Sequence, residues 1–166
     1  MPAMFNPNKF QWRLFSVNED IPEHVLAWLL DNQSLTAKLR SKYSDFCVNI
    51  VSQEENKPYE CELNLLDSNK IQTFIVREVE LIGSRQPVVF ARSVIPKNTD
   101  TDNILAIGSK PLGEILFNDP TIARGQLEVG RFHNTWARRS IFIIAETRLL
   151  VSEIFLEELY AWQTVQ

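Results

Sequence analysis

The sequence predicts an α+β fold in a single domain, an antiparallel sheet with helices packed over one face. Three observations carry that prediction. Apolar residues alternate with others along 71–82 and again along 88–95, and the short segment 83–87 (Gly-Ser-Arg-Gln-Pro) joins the two runs, which is the signature of a β-hairpin. A second hairpin is written at 141–145 and 149–156 around Glu146-Thr147-Arg148. Helical periodicity is confined to the front of the chain and one insertion in the middle. Strands therefore follow strands through short turns, which favours antiparallel pairing.

Taken in order, Ile21-Pro22-Glu23 opens the first helix, with Pro22 suited to a first turn. Val25, Leu26, Trp28, Leu29 and Leu30 give it a broad apolar stripe. Asp31-Asn32-Gln33 breaks the pattern, and Ser34 caps a second helix, 35–43. After Tyr43 the period changes. Residues 46–51 read as a strand and 60–65 weakly as another. The long strand 71–82, its partner 88–95 and a polar loop, 96–103, follow. Pro111 starts a short helix, 112–117. Residues 127–132 form a further strand before the second hairpin. No repeat, low-complexity tract or linker interrupts the chain, so residues 1–166 are read as one domain.

Composition narrows the function. Seventeen Lys and Arg against 21 Asp and Glu give a net charge of −4. An acidic chain without a basic run is a poor binder of nucleic acid or of anionic membranes, and the helical pair at 21–43 lacks the basic face of a DNA reader. The partner expected is a small molecule. Residues 1–11 are polar, and no apolar run approaches the ~20 residues of a membrane span, so a cytoplasmic location is expected. Cys47 and Cys61 form no C-x-x-C and no zinc-type cluster. They are expected to stay reduced, with no metal and no cofactor.

Two charges stand in the wrong place. Ile71, Thr73, Ile75, Arg77, Val79 and Leu81 share one strand face, and Arg77 interrupts an otherwise mostly apolar row. In the last strand, Leu149, Val151, Glu153 and Phe155 share a face, with Glu153 in the middle. A buried charge must be paired. An Arg77–Glu153 salt bridge that serves the fold, and a polar pair inside a ligand cavity, both satisfy that rule. The helix starts at Ser34-Leu35 and Pro111-Leu112 add free N–H groups suited to a carboxylate. Arg131, Arg138 and Arg139 lie close together; solvated strand ends explain them, and an anion patch is the sharper reading. His24 and His133 have no triad partners, and Gly108-Ser109-Lys110 lacks the full phosphate-loop pattern.

Six segments in order make the chain recognisable. They are Val76-Arg77-Glu78-Val79, Ala91-Arg92-Ser93-Val94-Ile95-Pro96, Lys110-Pro111-Leu112-Gly113, Gly130-Arg131, Trp136-Ala137-Arg138-Arg139-Ser140 and Ser152-Glu153-Ile154-Phe155-Leu156. From about residue 21 to 156 the chain resembles the chorismate pyruvate-lyase (chorismate lyase) family, most strongly after Ile71. The resemblance implies a six-stranded antiparallel sheet with helices on one side. It also implies an internal cavity closed by helical flaps and a monomer without cofactors.

The activity implied is conversion of chorismate to 4-hydroxybenzoate and pyruvate, the first committed step toward ubiquinone, with inhibition by the product. Arg77 and the backbone N–H groups of Leu35 and Leu112 are implied to hold the ring carboxylate, and Glu153 to face the hydroxyl. The substrate's second carboxylate needs its own cation, with Arg92, Arg138 and Arg139 as candidates. Leu35 stands where better-known members carry Met, an exchange that a backbone contact survives. A non-catalytic sensor of small aromatic carboxylates is the rival reading.

Overall fold

The hairpin written into 71–95 forms with a tighter turn than the sequence suggests. Ser84 and Arg85, both at positive φ (51° and 64°), make the whole connection. Their N–H groups donate to the Asp45 carboxylate at 2.9 Å each, which offsets the cost of a left-handed pair without glycine. Gly83 ends the strand before it, because a Cβ there would overlap the Tyr43 ring.

The computed structural model describes residues 5–16, 20–30, 34–67 and 72–160. Its strands are β1 (Gln11–Leu14), β2 (Cys47–Glu55), β3 (Phe74–Gly83), β4 (Gln86–Pro96), β5 (Ala123–Arg124), β6 (Glu128–Phe132), β7 (Thr135–Ile144) and β8 (Thr147–Phe155). Its helices are α1 (Glu23–Leu29), α2 (Leu35–Lys42), α3 (Glu60–Leu66), α4 (Asp102–Leu105) and α5 (Leu112–Asn118). The strands pair antiparallel in the order β1-β6-β7-β8-β4-β3-β2, with β5 added beside β7.

Alternation assigns each strand residue to a face. On one face, Val79, Leu81, Val89 and Phe155 pack under Val25, Trp28, Leu29, Leu35 and Leu39 of α1 and α2. Further along it, Phe142 and Leu149 meet Ile104 of α4 and Leu112 and Leu116 of α5. On the other face, Phe74, Val94 and Leu150 pack against Leu66 of α3. Phe90, Ala137 and Ile154 meet Phe5 there, with Phe10 and Trp12 alongside. No helix among the described residues is long and apolar enough to cross a membrane.

The α+β class and the antiparallel sheet stand, and three details differ from expectation. Among the described residues the sheet has eight strands rather than six, since β1 and β5 are too short to show a period. Helices cover both faces rather than one. Residues 60–65, read as a strand, are helical: the Glu62 carboxylate accepts the Tyr59 N–H at 2.9 Å at the helix start, and Glu62 and Leu66 form the buried side. The expected break at Asp31-Asn32-Gln33, the strand start at Ile71 and the tail beyond Tyr160 lie outside the described residues.

Candidate active site

Strand register sets the site. Arg77 on β3 lies opposite Ser93 on β4, Ser93 opposite Val151 on β8, and Val151 opposite Ser140 on β7. The next row on the same face is Val79, Ala91, Glu153 and Arg138. Both rows open into one pocket, roofed by the starts of α2 (Leu35, Thr36) and α5 (Pro111, Leu112, Gly113) and bordered by Arg124. The two helix starts meet closely: a Cβ on Gly113 would lie 3.5 Å from Thr36 Oγ1 and 3.8 Å from Ser34 Oγ. The Ser34 hydroxyl caps α2 by accepting the Ala37 N–H at 3.4 Å. An Arg40–Glu114 pair at 2.8 Å ties the helices at the exposed rim.

Arg77 is 2% exposed. Its Nη1 donates to Gln53 Oε1 at 2.8 Å and its Nη2 to the Lys110 carbonyl at 3.2 Å. Gln53 reaches it because β2 and β3 pair with Gln53 opposite Arg77, after a register shift between Ile50 and Ser52. Gln53 is itself fixed, donating from Nε2 to the Leu105 carbonyl at 2.9 Å. Both partners are neutral, so the guanidinium is oriented without being neutralised. Burial holds its pKa below the ordinary value.

Glu153 is matched by Arg138, not by Arg77. Arg138 Nε donates to Glu153 Oε1 at 2.7 Å. Its Nη1 donates to the Trp28 and Leu29 carbonyls at 3.2 Å each, at the end of α1, where helical carbonyls lack intrahelical donors. The Arg77–Glu153 bridge entertained from sequence is therefore not formed. Arg138 instead locks the Glu153 carboxylate in place and joins α1 to the sheet.

Of the three second-carboxylate candidates, only Arg138 turns its charge toward the pocket. Arg92 points to the opposite face, where Nε and Nη2 clasp both Glu62 oxygens at 2.8 Å, Nη1 reaches Glu78 at 3.2 Å, and the Tyr59 ring lies 4.9 Å away. Arg139 follows Arg138 by one residue and so faces the opposite way. Its Nε donates to Glu128 at 2.8 Å, Nη1 to Cys61 Sγ at 3.6 Å, and the guanidinium stacks over Trp12 at 3.9 Å. Cys47 and Cys61 are both free thiols.

The pocket also holds an arginine that sequence reasoning missed. Arg124, on the two-residue β5, sits over the Phe117 and Phe142 rings at 5.1 and 5.5 Å, and its buried Nε has no hydrogen-bond partner among the described residues. Burial and the neighbouring Arg138 charge lower its pKa, and Glu153 opposes them. No signal marked it beforehand, because two residues carry no alternation.

Among the described residues, three guanidiniums and one carboxylate face this pocket, which leaves two positive charges without an acidic partner there. With helix N-termini overhead, the arrangement can hold a small anion bearing more than one negative charge. Comparison with known proteins supplies the family. The chorismate lyase family model matches residues 6–165, and the chain belongs to that family. It is 35% identical to a probable chorismate pyruvate-lyase of Aromatoleum aromaticum, over 90% of this chain and 94% of that one. A probable chorismate pyruvate-lyase of Psychromonas ingrahamii is 38% identical, covering 81% and 83%. The chorismate pyruvate-lyase of Pectobacterium carotovorum is 30% identical, covering 83% and 80%.

Proposed function

We propose that this chain is a chorismate pyruvate-lyase whose reaction takes place in the pocket beneath α2 and α5, and that it supplies 4-hydroxybenzoate for ubiquinone from the cytoplasm as a monomer. Family membership supports the activity. The observation that carries the site is the charge balance: two surplus buried cations suit chorismate, which has two carboxylates.

In this reading Arg77 and the backbone N–H groups of Leu35 and Leu112 anchor the ring carboxylate. Gln53 and the Lys110 carbonyl aim the guanidinium from behind. Glu153, held in place by Arg138, accepts a hydrogen bond from the C4 hydroxyl and fixes the ring's rotation. The C3–O bond breaks as the C4 hydrogen leaves. Both ring electrons needed for aromaticity come from that C–H bond, and the enolpyruvyl fragment takes up a hydrogen and departs as pyruvate. Aromatisation supplies the driving force, so the protein's contribution is positioning and a preorganised field, with no cofactor.

The pocket's free volume is about 40 Å³, room for only a few waters. An aromatic acid enters such a space only when the walls part, and α2 and α5 are the walls that meet at the rim. They act as the flaps in this reading, and product retaining every contact except those to the enolpyruvyl group leaves slowly.

Incubating the purified chain with chorismate tests the proposal. Equal amounts of 4-hydroxybenzoate and pyruvate, formed catalytically, are expected. Saturable binding without turnover would instead select a sensor, and neither outcome would leave only a scaffold.

A further inference from the structure

We propose that Arg124, together with the Ser140 hydroxyl, holds the substrate's second carboxylate, the one on the enolpyruvyl group; this rests on the lyase reading above. Buried polar atoms in folded proteins almost always have partners. Here Arg124 Nε and Ser140 Oγ are both buried and have no partner among the described residues, and both residues line the same pocket. Two such atoms in the wall of one pocket mark where a ligand's acceptor belongs.

The other cations are accounted for. Arg138 is occupied by Glu153 and the carbonyls of Trp28 and Leu29. Arg92 and Arg139 are closed into pairs on the opposite face. Arg77 is assigned to the ring carboxylate. Arg124 is the remaining pocket cation, and no acidic side chain lies within ion-pair distance of it among the described residues. Its aromatic shelf of Phe117 and Phe142 holds the guanidinium plane without consuming its N–H donors.

Position agrees with chemistry. Arg77 and Arg124 stand at the two ends of the path β3-β4-β8-β7-β5, four strand steps, or roughly 19 Å of backbone. Long side chains reach inward from both ends, and Glu153 on β8 lies between them. The enolpyruvyl ether is on C3, next to the C4 hydroxyl. A ring whose carboxylate is at Arg77 and whose hydroxyl is at Glu153 therefore extends its side arm toward β7 and β5. Ser140 is on β7, and Arg124 lies opposite Phe142 of the same strand.

The assignment separates substrate from product. Chorismate meets both arginines; 4-hydroxybenzoate has lost the second carboxylate and meets only Arg77. Arg124→Gln is expected to lower kcat/KM for chorismate by on the order of 100-fold, the size of a charge-assisted contact in a dry site. Inhibition by 4-hydroxybenzoate should weaken less than about threefold, since the product makes no charge-assisted contact there. That retained inhibition also shows that the variant is folded. Arg124→Lys should recover part of the loss and Ser140→Ala should lose about tenfold, one hydrogen bond from an uncharged donor rather than an ion pair. Unchanged turnover in Arg124→Gln, or a loss of 4-hydroxybenzoate inhibition as large as the loss of kcat/KM, would overturn the assignment. Failure of the wild-type chain to convert chorismate would overturn the lyase reading itself, a different result from inactive variants beside an active parent.

Discussion

The two faces of the sheet handle buried arginines in opposite ways. Under α3, Arg92 ends on Glu62 and Glu78, and Arg139 ends on Glu128. Under α2 and α5, Arg138 ends on Glu153, while among the described residues Arg77 has only neutral acceptors and Arg124 Nε has none. Arg138 and Arg139 are adjacent in sequence, and β alternation alone sends one to each face. Burial of a charge is thus no mark of a binding site, since both faces bury theirs. The mark is imbalance: an uncompensated buried cation is disfavoured unless a ligand completes it.

The largest effect expected from this contrast lies on the balanced face. Glu62→Ala strips Arg92 of its bidentate partner and leaves α3 without its anchor. Breaking a buried pair from one side costs about 3–5 kcal/mol. The unfolding midpoint in urea should fall accordingly, with kcat/KM per folded molecule changed less than about twofold, since no pocket contact is lost. Arg77→Ala should do the reverse. It removes a charge-assisted contact of about 2–3 kcal/mol, or roughly 30- to 150-fold in kcat/KM, while stability stays near wild type. Lys should rescue poorly because it lacks the guanidinium fork. Activity loss from Glu62→Ala equal to that from Arg77→Ala would erase the distinction between the faces.

A smaller effect sharpens the role of Glu153. Benzoate lacks the hydroxyl, so it leaves one carboxylate oxygen desolvated and unmatched, a cost of about 1–2 kcal/mol. Its inhibition constant should be about 5- to 30-fold weaker than that of 4-hydroxybenzoate on the same scale. Equal constants would remove Glu153 from the hydroxyl. The smallest effect concerns the rim. Arg40→Ala breaks an exposed pair worth no more than about 0.5 kcal/mol. If parting of α2 and α5 limits turnover, kcat rises, by no more than about twofold. A fall in kcat would argue that the rim tie assists the chemistry.

Much of the site was legible in the chain because two of its parts break a period. Arg77 and Glu153 show as charges on apolar rows, and Ser34 and Pro111 show as helix starts. Their meeting around one pocket was not legible, because it depends on register across four strands. Arg124 escaped because β5 is two residues long. Residues 60–65 misread as a strand because Cys61, Leu63 and Leu65 alternate with polar neighbours, whereas the deciding contact is Glu62 with Arg92, 30 positions away. Residues 136–140 looked like a solvated strand end because two adjacent arginines suggest water; both are buried, since β7 is a central strand with a partner for each guanidinium.

The claim that the α2/α5 face is the unbalanced one is tested most directly by adding the missing anion and measuring stability. With 4-hydroxybenzoate at about 100 times its Kd, the wild-type chain should gain about 2.7 kcal/mol, a rise in Tm on the order of 5–10 °C. At the same concentration Arg77→Ala, with its Kd weakened about 30- to 150-fold, should gain only about 0.3–0.9 kcal/mol, while Arg139→Gln, altered on the opposite face, should gain as much as wild type from whatever lower Tm it starts at. An equal rise in wild type and Arg77→Ala, or none in either, would contradict the account.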